Sequence, residues 1–339
     1  MSSDKRPAQS SRTRSALVQL ALLLAGFGFV GWIIVSRGGD LKAAFRLTPG
    51  IFVIITLADL AGFLLNGIEL QVLTARFGGC VPFLEGQALG LMVSTLNYLP
   101  MKAGTVLNGV LLRARHSVRL SDYTALIAGS SVVHLSVCGV LAGAALLAGG
   151  GEHAALGLVF LLTPIALVIA LVTWGNARKT GRFEGHDSRV VRLAARAVDG
   201  LGDMFSDGSL LAKDVSINIG LVTLWAVRSY WSFRALGVHP AFGSVLTVTA
   251  LGIVFNRLSI IPGGVGFREA GSALGSTITG IPAELGFAAS VIDRAVELIW
   301  LLLLGVPATL YVMRINGVGL GDALRGAQNQ GGQEPRELA

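Results

Sequence analysis

The sequence predicts an all-α polytopic membrane protein: an inverted repeat with two re-entrant or broken helical hairpins and about six full spans. Hydrophobic residues make up 53% of the 339 residues and charged residues 14%, which is far from the composition of a soluble domain. Apolar runs long enough to cross about 30 Å of hydrocarbon recur along the chain. Two further apolar stretches are interrupted by proline and glycine, which end one helix and permit another.

The chain begins with a basic segment, residues 1–14, that precedes an apolar run at 15–35. This run is longer than the apolar core of a typical signal peptide and lacks a clear small-x-small cleavage site, so we predict an uncleaved first span. A polar tail at 314–339 follows the last apolar run. The predicted full spans are 15–35, 50–73, 121–148, 154–175, 211–236 and 284–313.

The two broken segments, 82–112 and 242–280, are interrupted at Pro100–Gly104 and at Pro262–Gly266. Each break predicts a hairpin that turns back within the membrane. Each arm is also long enough, at ~1.5 Å per residue, to cross completely. Two full spans in place of each hairpin are therefore the alternative.

The positive-inside rule favours hairpins. With the amino terminus in the cytoplasm, a first hairpin that enters from that side puts the arginines of 113–119 and the basic loop 178–196 inside. The outer loops 149–153 and 281–284 then contain no Lys or Arg, although the basic loop 37–46 is an exception. We therefore predict a multi-pass protein of the plasma (inner) membrane with both termini in the cytoplasm.

Three predicted spans separate the hairpins, and an odd number makes the hairpins enter from opposite sides. An offset of 162 residues pairs Pro100 with Pro262 and Gly104 with Gly266. We predict two inverted transmembrane repeats, 15–148 and 149–313, with a substrate site at their interface. A chance alignment of glycine-rich apolar sequence is the alternative.

Charge and cysteine content exclude several classes of protein. The net charge of +7 comes mostly from short Arg/Lys groups between apolar runs, unlike the basic stripes with interleaved aromatics of nucleic-acid-binding proteins. Cys80 falls in a predicted cytoplasmic loop and Cys138 in mid-span, too far apart to form a disulfide. No zinc, haem or iron–sulfur ligand spacing is present, so we expect no cofactor or metal.

The run Pro262-Gly263-Gly264-Val265-Gly266-Phe267-Arg268-Glu269 is the leading site candidate. A glycine-rich turn with adjacent charges is unfavourable in the bilayer unless it lines a polar cavity. A helix that begins at Gly266 would point unpaired N–H groups into that cavity, which suits a phosphate or carboxylate. The alternatives are that the glycines allow close helix packing and that Glu269 caps the helix or pairs with Arg268.

This run, preceded by Asn256-Arg257, resembles the most recognisable signature of the lysylphosphatidylglycerol synthase transmembrane-domain family. Residues 97–104, Asn-Tyr-Leu-Pro-Met-Lys-Ala-Gly, resemble the family's earlier signature, with Lys102 where many members carry an Arg. The resemblance covers roughly residues 15–315 and implies similarity to the flippase part of the multiple peptide resistance factor. That part moves an aminoacylated phospholipid between leaflets. The soluble synthase domain is not expected here, and some relatives act as glycosyltransferases.

The predicted substrate-binding residues come from both hairpins and the last span. An internal Arg294–Glu297 pair is the alternative for part of this set. Asp59, Glu69 and His134 are further intramembrane polar groups, and Arg228 is expected to extend to the outer interface. The full predicted set is Lys102, Gly104, Asn256, Arg257, Gly263, Gly264, Gly266, Arg268, Glu269, Asp293, Arg294 and Glu297.

The favoured function is a flippase that moves an anionic, aminoacylated or glycosylated lipid between leaflets, gripping its phosphate between the two hairpins. No catalytic residue is predicted. One alternative is a glycosyltransferase that uses a polyprenyl-phosphate-linked sugar, which the lack of a paired Asp motif in a long loop disfavours. Another is a scaffold subunit that docks a separate lipid-modifying enzyme through the basic amphipathic segment 186–203. The expected partner is a membrane lipid with a phosphate headgroup, and not nucleic acid.

Overall fold

The computed structural model describes residues 48–99, 102–150, 153–178, 205, 207–259 and 261–316. All regular structure in these ranges is helical, which confirms the all-α prediction. A short 3₁₀ turn, Pro262–Gly264, joins the seventh and eighth helices. The helices are α1 (Pro49–Ala75), α2 (Phe83–Leu96), α3 (Ala103–His116), α4 (Leu120–Gly149), α5 (Ala154–Arg178), α6 (Gly208–Ala235), α7 (Phe242–Leu258), α8 (Phe267–Ile278), α9 (Ala283–Trp300) and α10 (Val306–Ile315).

Four helical segments are long and apolar enough to cross a bilayer: α1, α4, α6 and the rod Ala283–Ile315 formed by α9 and α10. They confirm the predicted spans at 50–73, 121–148, 211–236 and 284–313. A π turn at Leu301–Gly305 joins α9 to α10 just before Pro307, whose missing N–H disturbs the regular ladder. The predicted first span, the basic amino terminus, the segment 186–203 and nearly all of the polar tail lie outside the described residues.

Large apolar side chains cover the outer surface of the bundle. Leu57, Leu84 and Leu302 are 60%, 73% and 66% exposed, and continuous exposed apolar surface of this kind is stable against lipid chains rather than water. The polar groups are instead in the interior, where Asp59, Asp214 and Arg228 are at most 2% exposed. This inversion of a soluble protein's surface is the arrangement of a polytopic membrane protein.

The first broken segment forms a hairpin of α2 and α3. Each helix has 14 residues, about 21 Å at 1.5 Å per residue, which is too short to cross 30 Å. The Asn97 side chain bridges the break, since its Oδ1 accepts from the Thr105 N–H at 3.0 Å and from the Thr105 hydroxyl at 3.1 Å. Gly104 lies against the Val93 backbone, so a side chain there would separate the two arms.

The second broken segment forms a hairpin of α7 and α8 with closer packing. A Cβ added at Gly271 would come within 2.6 Å of the Leu251 carbonyl, and one at Gly275 within 2.7 Å of Val248 Cα. Small residues therefore let the antiparallel backbones touch. Gly243, at the start of α7, faces Ala145 near the end of α4. Because α7 has 17 residues, about 25 Å, the turn lies beside the middle of α4.

The two halves pack in the same way. In the first half α1 contacts α2 and α4, and in the second half α6 makes the equivalent contacts with α7 and α9. Likewise α4 of the first half lies along α7, while the π turn and α10 of the second half lie along α2. The equivalent helices α1 and α6 cross in opposite directions, because Gly62 meets Trp225 while Gly220 meets Leu65. Equivalent helices that make the same contacts but run in opposite directions are the arrangement of an inverted repeat. The boundaries 15–148 and 149–313 stay a prediction.

Candidate functional site

The tips of the two hairpins touch each other inside the bundle. The Gly263 N–H, in the turn between α7 and α8, donates to the Asn97 carbonyl at the end of α2 over 2.9 Å. Gly263 and Gly264 both have positive φ, +64° and +62°, which favours glycine. A Cβ at Gly263 would also come within 2.5 Å of the Tyr98 ring. The glycine run therefore allows a close contact between two halves of the chain.

Protein atoms already bind several N–H groups of the glycine turn. The Gly264 N–H donates to the Ile261 carbonyl at 2.9 Å, and the Gly266 N–H donates to Glu269 Oε2 at 2.8 Å. Glu269 is completely buried and caps the first turn of α8, as one of the alternatives at the sequence level proposed. The Gly266 N–H, expected to face an anion, is thus held by a carboxylate of the protein.

The two arginines nearest the turn are also paired with protein groups. Arg268 Nη1 lies 2.8 Å from Glu297 Oε2, and its Nη2 contacts Asp293. Arg294 Nε lies 2.6 Å from Glu269 Oε1, and Arg294 Nη1 donates to the Gly263 carbonyl at 2.8 Å. The ion-pair partner of Arg294 is therefore Glu269 of α8 and not Glu297, three residues away on the same helix. These contacts fasten α9 to the glycine turn.

Arg228 completes this network, and the expectation that it extends to the outer interface is wrong. Its side chain is 3% exposed, with Nη1 2.6 Å from Asp59, Nε 2.6 Å from Asp293 and Nη2 3.2 Å from Glu297. Three carboxylates at one depth stabilise a buried guanidinium better than a long path to the interface does. We call Asp59, Arg228, Arg268, Asp293 and Glu297 the arginine cluster.

Lys102 and Arg257 differ from these arginines. Both side chains are exposed, and within the described ranges neither makes a hydrogen bond or an ion pair. They lie close enough to repel each other, which places Lys102, at the start of α3, near the end of α7. Asn256 lies beside them, with its Oδ1 against Gly264. The structure thus brings two unpaired cations and an amide to the contact between the hairpins.

A second polar group occupies the other half of the bundle. Glu69 Oε1 accepts from the Ser130 hydroxyl at 2.6 Å and from Asn218 Nδ2 at 3.2 Å. The same Asn218 nitrogen donates to Asp214 Oδ1 at 3.0 Å, and Asn218 Oδ1 contacts His134 Nδ1. We call Glu69, Ser130, His134, Asp214 and Asn218 the glutamate cluster. In the sequence Glu69 and His134 are separate intramembrane polar groups, and no local pattern indicates that they belong to one cluster.

This geometry defines a class: a helical membrane protein in which two re-entrant hairpins meet between two buried polar clusters. The chain belongs to the family described as the lysylphosphatidylglycerol synthase TM region, which matches residues 17–305. This confirms the resemblance carried by the two sequence signatures and identifies a membrane protein of a lipid-related family.

An individual relative matches a smaller part of the chain than the family does. A UPF0104 membrane protein from Methanothermobacter thermautotrophicus is 32% identical over 144 residues, which cover 42% of this chain and 41% of the relative. The similar region thus spans about two fifths of the relative's length. No solved structure matches the chain.

Proposed function

We propose that the protein moves a lipid with a phosphate-containing headgroup between the leaflets of the plasma (inner) membrane. One observation carries this proposal: the hairpin tips touch through the Gly263–Asn97 hydrogen bond, and the unpaired cations Lys102 and Arg257 lie beside that contact. Cations at the depth of helix breaks need an anionic partner. A lipid phosphate is the anion that a membrane supplies there.

The surroundings of these cations suit a lipid. Leu99 and Leu258, next to the two tips, are 39% and 69% exposed, so apolar surface adjoins the positive charge. A headgroup could bind Lys102, Arg257 and Asn256 while its acyl chains lie on the exposed leucines. Of the predicted substrate-binding residues, we assign these three to direct contact. The others, which hold the turn and α9 in place, become positioning residues.

Translocation follows from the inverted halves. Rocking of one half against the other would separate the tips on one side and then on the other, so that the phosphate is presented to each leaflet in turn. We propose that α2 and α3 enter from the cytoplasm, because Arg113 and Arg115 lie at the open end of that hairpin. Arg115 there donates to the Ile315 carbonyl at 3.0 Å, which would put the end of α10 on the same side.

We propose transport rather than glycosyl transfer because the carboxylates near the tips are already paired. Glu269, Asp293 and Glu297 each contact an arginine at the distances given above, whereas a general base must be free to accept a proton. Purified protein should therefore transfer no sugar from a polyprenyl-phosphate donor. A protein that only scaffolds a separate lipid-modifying enzyme would move no lipid by itself.

The test is leaflet exchange by the purified protein in liposomes, measured with a fluorescent phosphatidylglycerol and an impermeant quencher. We expect wild-type protein to accelerate lipid exchange. The double variant Lys102→Gln, Arg257→Gln should exchange lipid at least tenfold more slowly, because each hydrogen bond to a charged group contributes about 1.5–3 kcal/mol. Arg234→Gln is the matched control, because Arg234 lies over Trp231 and away from the tips. No acceleration by wild type, or an unchanged rate in the double variant, would overturn the proposal.

A further inference from the structure

The glutamate cluster and the arginine cluster occupy equivalent positions in the two halves. Counted from the first residue of each helix, Glu69 of α1 matches Arg228 of α6, and Asn218 of α6 matches Asp59 of α1. In the same way Ser130 and His134 of α4 match Asp293 and Glu297 of α9. The contacts match as well, because Glu69–Ser130 and Glu69–Asn218 correspond to Arg228–Asp293 and Arg228–Asp59. One site thus occurs twice, with opposite charge at its centre.

The charges balance differently in the two clusters. The carboxylates of the arginine cluster contact Arg228 and Arg268. The glutamate cluster has the carboxylates of Glu69 and Asp214 and, in the part of the chain that the structure describes, no ion pair to a Lys or Arg. Asp214 is completely buried and Glu69 is half-buried, and carboxylates with so little access to water are destabilised without a counter-charge. The glutamate cluster therefore needs one further positive charge.

The hydrogen bonds around Asn218 have more acceptors than donors. Asn218 Nδ2 carries two hydrogens but lies within 3.2 Å of Glu69 Oε1, 3.0 Å of Asp214 Oδ1 and 2.9 Å of the Asp214 carbonyl. An amide with two hydrogens cannot fully satisfy three acceptors. Both carboxylates contact the same nitrogen, and they also lie within hydrogen-bonding reach of each other. A proton shared between Glu69 and Asp214 would remove the excess of acceptors.

Within the described part of the chain, two buried atoms of the cluster, and one in the adjoining cavity, lack a hydrogen-bond partner. Asp214 Oδ2, His134 Nε2 and Asn108 Oδ1 have no hydrogen-bond partner among the described residues, and these three residues are at most 1% exposed. His134 Nδ1 faces Asn218 Oδ1 and must donate to it, which leaves Nε2 as an acceptor. A cavity of about 120 Å³, lined by Glu69, Asn108 and Ser130 among others, is large enough for water. Water in this cavity would contact Glu69 and would be the source of a proton for the cluster.

Few charged groups face the cluster from the helices around it. Glu69 comes from α1, His134 from α4 and Asp214 from α6, whereas α2 and α3 contribute the neutral Ser94 and Asn108 to the cavity. Lys213, next to Asp214, is exposed on another face of α6. Arg257, at the end of α7, is the cation close enough to act on His134. That arginine is also one of the residues proposed to hold the lipid phosphate.

We propose that the glutamate cluster binds one proton, shared between Glu69 and Asp214, and that this proton is exchanged as lipid moves. Exchange of this proton with lipid movement rests on the proposed function. A proton fits better than a metal cation because the Asn218 amide already lies between the two carboxylates. Arg257, which is proposed to hold the phosphate, lies near His134 of the cluster, and this proximity is the proposed link between lipid binding and proton binding.

The proton site is tested without lipid movement, by infrared titration of the purified full chain in detergent. We expect one carboxyl C=O band of a buried protonated acid, lost in Glu69→Gln and lost or shifted in Asp214→Asn. Glu284→Gln is the matched control, because Glu284 is exposed at the start of α9, and it should keep the band. The absence of a band in wild type, or its persistence in both cluster variants, would overturn the site. If the band disappears when sodium replaces choline in the buffer, the cluster binds a metal cation and the proton site is overturned as well.

Coupling is tested in the liposome exchange assay under an imposed pH gradient. If one proton moves with one lipid, a gradient of one pH unit shifts the steady-state ratio of labelled lipid between leaflets by about tenfold. Glu69→Gln and Asp214→Asn should lose this shift, and Glu284→Gln should retain it. A gradient-independent ratio in wild type overturns the coupling, whereas no exchange at all overturns the proposed function and leaves the infrared result to decide the proton site.

Discussion

Arg228 gives the most direct test of the buried network, because a single substitution removes the centre of the arginine cluster. Arg228→Met keeps most of the side chain's length but leaves Asp59 without its cation at 2.6 Å and leaves Asp293 and Glu297 to Arg268 alone. Breaking a buried pair in this way costs about 3–5 kcal/mol, chiefly because a charge stays buried without a partner. For a protein of 339 residues the Tm should fall by about 4–7 °C.

The assay is thermal unfolding in detergent, and the reaction of Cys138 with a thiol-reactive dye in a Cys80→Ser background serves as its readout. Cys138 is fully buried and Cys80 exposed, so labelling of the former reports the opening of the bundle. Arg234→Met, on the same helix, is the control and should change Tm by about 1 °C or less. Asp59→Asn should recover part of the loss in the Arg228→Met protein, because it removes the stranded charge. A Tm for Arg228→Met within the range of the control would refute the buried network.

Three further predictions concern the hairpins and the repeat. Gly263→Ala should remove lipid exchange while the protein stays in the membrane, because the new Cβ meets the Tyr98 ring at 2.5 Å on a backbone with φ of +64°; normal exchange would show that the tips need not touch. Gly275→Val should lower stability by about 1–3 kcal/mol through overpacking against Val248, whose Cα would lie 2.7 Å from the Cβ, and an unchanged Tm would contradict the packing of the second hairpin. Leu65→Cys and Gly220→Cys, at positions where an added Cβ lies 3.0 Å from Leu65 Cδ1, should be joined by a short bifunctional thiol reagent in a protein without its native cysteines; failure to cross-link would contradict the antiparallel pairing of the two halves.

Hydropathy and proline–glycine breaks predicted most of the fold, since both are local properties of the chain. The described spans begin and end within three residues of their predicted limits, and both hairpins turn at the predicted breaks. The single offset of 162 residues does not hold along the whole repeat. Applied to the following span, this offset pairs Asp122 with Glu284, whereas Asp122 is the third residue of α4 and Glu284 the second of α9. Loops of different length shift the helices relative to one another.

The ion pairs could not be predicted because they join residues far apart in sequence. Arg228 contacts Asp59 on one side of it in the chain and Asp293 on the other, and nothing near Arg228 distinguishes it from an arginine that extends to the interface. Arg294 has Glu297 three residues away but contacts Glu269, since α8 brings that carboxylate closer than the local helix does. Partner choice in a membrane interior follows helix packing, which the inverted repeat determines only once both halves are assembled.

The pairing of Arg268 and Arg294 also decides where an anion can bind most easily. A phosphate at Arg268 would have to displace Glu297 at 2.8 Å and Asp293, and each displaced carboxylate would be left buried without its partner. At Lys102 and Arg257 no such exchange is needed, and an anion would relieve the repulsion between two like charges. The cations without partners are therefore the better phosphate ligands, although they belong to a less glycine-rich part of the sequence. The paired arginines keep the turn rigid enough for those ligands to be held in place.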